Sequence, residues 1–117
     1  YTNAKINLDK QVELFKSSND WLHLPSGLNA RATYYTKVAN YPRAEADLRE
    51  ALEISQRTGA KFGQWESYLN FSQLYLAKSD RQGARCFLAK AMSLKGMSDY
   101  KFRDHEIGQL RDSLSQI

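Results

Sequence analysis

The residues best suited to chemistry are few and badly placed for it. His23 and His105 are the only histidines and Cys86 is the only cysteine. A zinc site draws His, Cys and carboxylates together at turn or helix spacing. The chain has no His-x-x-x-His, no Cys-x-x-Cys and no Glu-x-x-His. His23 falls in a short apolar cluster, Trp21 to Leu24, and His105 lies between Asp104 and Glu106. Neighbours in a helix do not face one another. Cys86 has Arg85 beside it and Lys90 one turn on, but no histidine close in sequence to act as its base. The run Gly59-Ala60-Lys61-Phe62-Gly63 lacks the Lys-Ser/Thr ending of a phosphate loop and follows no strand. The expectation is a protein with no catalytic residues, no metal and no cofactor.

Binding chemistry is better represented. The formal charge is +4, and it is uneven. Lys78, Arg81, Arg85, Lys90, Lys95, Lys101 and Arg103 face only Asp80 and Asp99 over the same stretch. Such a run attracts an acidic partner or merely solvates a helix face, and the second is the commoner case. Arg81, Arg85, Lys90 and Lys95 are therefore the positions of an alternative, nucleic-acid-associated reading. Seven Tyr, five Phe and two Trp could stack on bases, but their helical spacing assigns most of them to a core. Only Trp21, Tyr34, Tyr41 and Tyr100 are expected to keep an exposed edge, so nucleic acid is not the favoured partner. No apolar run is long enough for a membrane helix, and one cysteine permits no internal disulfide, which suits a cytoplasmic setting.

The elements that must carry these residues are helices. Leu8, Val12 and Phe15 stack on one face of a first helix, about Ala4 to Lys16. A second helix is expected from an N-cap at Ser26 to about Asn40, with Leu28, Ala32, Tyr35 and Ala39 inward. A third runs from about Pro42 to Arg57 and ends at Gly59, suited to a left-handed C′ position. The fourth, about Phe62 to Lys78, is apolar almost all round and so must be sandwiched. The fifth follows a Ser79-Asp80 corner to about Leu94, with Ala84, Leu88 and Ala91 inward. The sixth spans about Tyr100 to Gln116 with Ile107, Leu110, Leu114 and Ile117 on one side. No strand alternation appears.

Three segments also align at a spacing of 40 residues: Ala4, Leu8, Val12 with Ala44, Leu48, Leu52 and with Ala84, Leu88, Met92. Fixed self-similarity of this length marks stacked repeats. The small residues Ala44, Ala51, Ala84 and Ala91, with Tyr35 and Tyr75 opposite, let helices approach closely. This pattern resembles the tetratricopeptide repeat, with a period longer than the family's usual value of about 34, and the resemblance puts Ala32 and Ser72 on the family's small position in the first helix. The family's terminal proline is replaced by Gln56 and Gly96. Repeats of this longer kind are found in bacterial regulatory and signalling proteins. The resemblance implies an all-α, right-handed solenoid of about six antiparallel helices in a single domain, residues 1–117. Its parts would be 4–16, the second helix of a truncated repeat; 26–57 and 62–94, two repeats; and 100–116, a capping helix. Starting inside a repeat, the chain reads as a fragment of a larger protein.

The resemblance also implies a function: a scaffold or regulatory module that binds a protein or peptide on the inner face of its first helices. Those positions are Asn29, Thr33, Thr36, Lys37, Glu66, Leu69 and Gln73, with Ser26, Leu76 and Ala77 at the edges. The basic clamp of chaperone-binding members is not matched, since Asn29 and Thr33 stand where Lys and Asn belong. Self-association through the ends of the stack is the other interaction the resemblance implies.

Overall fold

The computed structural model describes residues 2–94 and 103–115 of the chain. Among them lie six α-helices and no strand: α1 (Thr2–Ser17), α2 (Leu24–Lys37), α3 (Tyr41–Thr58), α4 (Lys61–Ala77), α5 (Arg81–Met92) and α6 (Asp104–Ser115). Consecutive helices from α1 to α6 pack on one another, and α2 and α6 each also touch α4. The expected start of the last helix at Tyr100 to Phe102, its end at Gln116, and Ile117 lie outside the described residues, as does Lys95. No described helix is long and apolar enough to cross a membrane.

Four corners between helices are built alike, and their spacing is half the sequence register. Asn19, Ala39, Gly59 and Ser79, each 20 residues after the last, all have positive φ, between 55° and 71°. Each closes its helix by the same two bonds. The left-handed residue donates to the carbonyl three back, and its successor to the carbonyl five back: Asp20 to Phe15, Asn40 to Tyr35, Ala60 to Ser55 and Asp80 to Tyr75. This satisfies carbonyls that a helix end otherwise leaves open. The residue five before each successor then meets the start of the next helix at one recurring spot. Phe15 stacks on His23, with centroids 5.9 Å apart, and Arg43 lies over the Tyr35 ring. At the other two corners the approach demands glycine. A Cβ on Gly63 would stand 2.2 Å from Ser55 Oγ, and one on Gly83 would stand 2.3 Å from Tyr75 Cδ2.

Ala39 is thus not inward-facing, as the helical stripe suggested, but exposed in a left-handed corner at φ 62°. A β-carbon is disfavoured there. Ala39→Gly is expected to raise unfolding free energy by about 0.5–1 kcal/mol. The same change at Ala46, exposed in mid-α3, should lower it by about 1 kcal/mol. Chemical denaturation of the two variants checks the opposite signs.

The start of α2 also differs from expectation. Ser26 lies inside the helix, which begins at Leu24 with Pro25 in its first turn. Asp20 organises the entry, its Oδ1 accepting the His23 backbone N–H at 3.1 Å and its carbonyl accepting Leu24 N–H. At α5 the carboxylate of Asp80 caps directly, accepting from Gly83 N–H at 2.9 Å.

Among the described residues the interior divides into three apolar groups. Val12, Leu24, Leu28 and Ala51 fill the space between α1, α2 and α3. Ala32, Tyr35, Ala44, Leu48, Phe71 and Leu74 join α2, α3 and α4. Trp65, Leu69, Ala84, Leu88, Ala91, Ile107, Leu110 and Leu114 join α4, α5 and α6. The small residues mark close approach: Ser72 Oγ donates across to the Ala84 carbonyl at 2.8 Å.

Candidate functional site

A cleft of about 270 Å³ opens between α2, α4 and the start of α6. Ser26, Asn29, Ala30 and Thr33 come to it from α2, Glu66, Asn70 and Gln73 from α4, and Arg103 and Glu106 from the last segment. Four of the seven groove positions expected from sequence therefore meet here: Asn29, Thr33, Glu66 and Gln73. The other three do not. Thr36 turns its hydroxyl back onto the Ala32 carbonyl at 2.9 Å, and Lys37 is exposed at the end of α2. Leu69 is a correction: it is fully buried in the α4–α5–α6 core and cannot touch a ligand. Because α4 is apolar around nearly its whole circumference, its periodicity could not show which residues would be left facing a groove.

The floor of the cleft is a polar network that ties α2 to α4. Asn29 is only 1% exposed. Its Nδ2 donates to the Pro25 carbonyl at 2.9 Å and to Ser67 Oγ at 3.1 Å, and its Oδ1 accepts from Asn70 Nδ2 at 2.8 Å. Buried polar groups that lose such partners are costly. Asn29 is therefore a structural member of the site, and replacing it should disturb the helix pair as well as any ligand.

One wall belongs to residues that sequence reasoning left out of the groove. Arg103 is buried, and its Nε and Nη2 both reach Glu106 Oε2, at 3.1 and 2.6 Å. Gln73 Nε2 donates to the same oxygen at 3.0 Å. Arg103 belonged to the basic run, and its pairing three residues on with Glu106 was the available signal. Burial raises the Glu66 carboxyl above its ordinary range; Arg103 opposes this and Glu106 adds to it. The raised group takes up its proton more readily in the folded chain than in the unfolded one. Its contribution to stability is present below the ordinary carboxylate value and lost as pH rises through the folded value. Glu66→Gln is expected to melt higher than the unsubstituted chain near pH ~7 and alike near pH ~4, because only the neutral-pH protein carries the desolvated charge.

A second polar cluster pins α1, α2 and α3 together. Arg31 grips Asp47 through Nε and Nη2, both at 2.8 Å, and reaches Asp9 at 3.1 Å. The Asp47 hydrogen bonds hold the Arg31 guanidinium more firmly protonated than usual. Lys5 completes the cluster on Asp9. The Arg31 pairs bridge helices at spacings no local motif reveals, so they were not visible in the sequence.

The basic run is largely occupied with its own fold. Arg85 donates through Nε to the Leu114 carbonyl at 3.0 Å, and Arg81 donates to the Ser113 carbonyl at 3.0 Å. Both thereby satisfy the open end of α6. Lys78 pairs with Glu45, and Lys90 lies over the Phe87 ring. Among the described residues the exposed large apolar ones are Ile6 and Leu14 on α1, Trp21 and Leu22 in the corner after it, and Val38 in the corner after α2. His23 is exposed rather than enclosed by its apolar neighbours and pairs with Asp20 at 2.9 Å. Cys86 is a free, exposed thiol.

No family model, no curated protein and no solved structure matches this chain.

Proposed function

We propose that the chain is a tetratricopeptide-like repeat module that binds a protein or peptide segment along α2 and α4. On this reading it is a non-catalytic scaffold or regulatory domain, cytoplasmic, and part of a larger signalling or transcription-regulating protein. Its helix pairs would be antiparallel and stacked in a right-handed superhelix. The observation that supports the reading most is the α2–α4 cleft, where polar side chains from two helices line one concave surface. A binding site of this kind joins a few placed polar groups to a preformed hollow. The contact between α2 and α4 is what stacked first helices require, and the 20-residue corner repeat gives α1 to α4 the same exit. The alternative, an acidic partner such as nucleic acid on the basic run, draws less support, since Arg81 and Arg85 already bond the end of α6.

The test is selection of peptides from a displayed random library on the intact chain, followed by titration of the selected sequences. Ala30 is exposed and lines the cleft, so Ala30→Arg should block the hollow without unfolding the protein. The expected result is a loss of about tenfold or more in affinity for Ala30→Arg and less than about twofold for Lys90→Ala. Equal binding by Ala30→Arg, or loss only on Lys90→Ala, would remove the groove reading. A rise in mass with concentration would instead favour self-association through the ends.

A further inference from the structure

The hydrogen-bond directions inside the cleft say what kind of group it lacks. The Pro25 carbonyl can only accept, so the Asn29 amide must present its NH2 there. Asn29 Oδ1 is thereby turned to Asn70, and Asn70 must answer with its own NH2. This chain of necessity leaves Asn70 Oδ1 over. Asn70 is 6% exposed and lines the cleft, and among the described residues its Oδ1 accepts no hydrogen bond. A second acceptor, the Glu66 carboxylate one turn before it, has no hydrogen-bond partner among the described residues either. A third is Glu106 Oε1, because Oε2 takes all the bonds from Arg103 and Gln73. The one guanidinium present is committed to Glu106 and Gln73. The cleft is thus rich in acceptors, holds two carboxylates against one cation, and contains an amide oxygen, on a residue 6% exposed, that accepts no hydrogen bond from the described residues.

We infer that this cleft receives a primary ammonium group, the head of a lysine side chain on the bound peptide. An ammonium offers three N–H donors to separate acceptors, which the amide oxygen and two carboxylates supply from α4 and α6. A metal ion fits less well, for among the described residues no three His, Cys, Asp or Glu stand close enough to hold one. The size agrees: about 270 Å³ lies at the small end of ligand pockets, suiting a side chain better than a cofactor. A desolvated carboxylate also gains from meeting a cation, which restores the charged form that burial disfavours. The inference rests on the groove reading for its peptide, but the pocket can be tested without one.

The probe is Nα-acetyl-lysine amide, with Nα-acetyl-norleucine amide as the neutral match, each titrated into the intact chain. The readout is the side-chain NH2 resonances of Asn29, Asn70 and Gln73 in two-dimensional NMR. The lysine compound should shift Asn70 and Gln73 saturably with half-saturation in the millimolar range, and the norleucine compound should not. Glu66→Gln should weaken the lysine effect about tenfold or more while the unliganded spectrum stays that of a folded chain. Equal shifts with both compounds, or an undiminished lysine effect in Glu66→Gln, overturns the ammonium pocket. A library-selected peptide that binds α2 and α4 equally in the unsubstituted chain and Glu66→Gln would also overturn it, while leaving the groove itself intact. Conversely, a lysine response lost in Glu66→Gln upholds the pocket even if no peptide is selected.

Discussion

Leu69→Ala lowers the free energy of unfolding by about 2–5 kcal/mol, the range for removing a fully buried leucine from a core that relaxes only in part. Leu69 sits at the centre of α4 among Trp65, Ala84, Leu88 and the inward residues of α6. Its truncation opens a void that three helices border. Urea denaturation followed by circular dichroism measures the effect through the shift in midpoint. A loss under about 1 kcal/mol would place Leu69 on a surface, as the family resemblance implied. The outcome bears directly on the binding face: if Leu69 is core, the α4 contribution to the groove is Glu66, Asn70 and Gln73 only.

Ala84→Leu lowers stability by about 1–3 kcal/mol for the opposite reason, too much volume rather than too little. Ala84 has no exposed surface, and the Ser72 hydroxyl bonds its carbonyl across the α4–α5 interface. Three added carbons must push the two helices apart or force strained rotamers. Cys86→Ser, two residues on and exposed, should change stability by no more than about 0.5 kcal/mol. A neutral Ala84→Leu would mean that α4 and α5 are not held at alanine distance, and the repeat alignment built on Ala44 and Ala84 would fall with it.

The six helices were legible because apolar residues recur at helical spacing and because Gly59, Pro42 and Asp80 mark corners by their own chemistry. Ala44 and Ala84 were legible for the same reason, since a small residue on an apolar face permits close approach, and Ala32 and Ser72 followed from the family resemblance. The 20-residue corner was not. It is made by backbone bonds at Asn19, Ala39, Gly59 and Ser79, and only the glycine advertises positive φ. Ala39 in particular reads as one more inward alanine. The cleft was legible by halves. Asn29 and Thr33 on α2 and Glu66 and Gln73 on α4 followed from the resemblance, whereas the Asn29–Ser67–Asn70 network joins residues some 40 apart through side chains that carry no local signal. Arg103 counted as one more positive charge in a basic run, and its burial against Glu106 depends on where the last helix docks.

A ligand held on α2 and α4, and not on the outer helices, leaves its footprint in backbone amide shifts when a library-selected peptide is added. The perturbed amides are expected to cluster in Ser26 to Thr33 and Glu66 to Gln73, with α3 and the outer side of α5 unmoved. Shifts confined to Arg81, Arg85 and Lys90, weakening steeply as salt is raised, would contradict this placement and assign the acidic-partner reading instead.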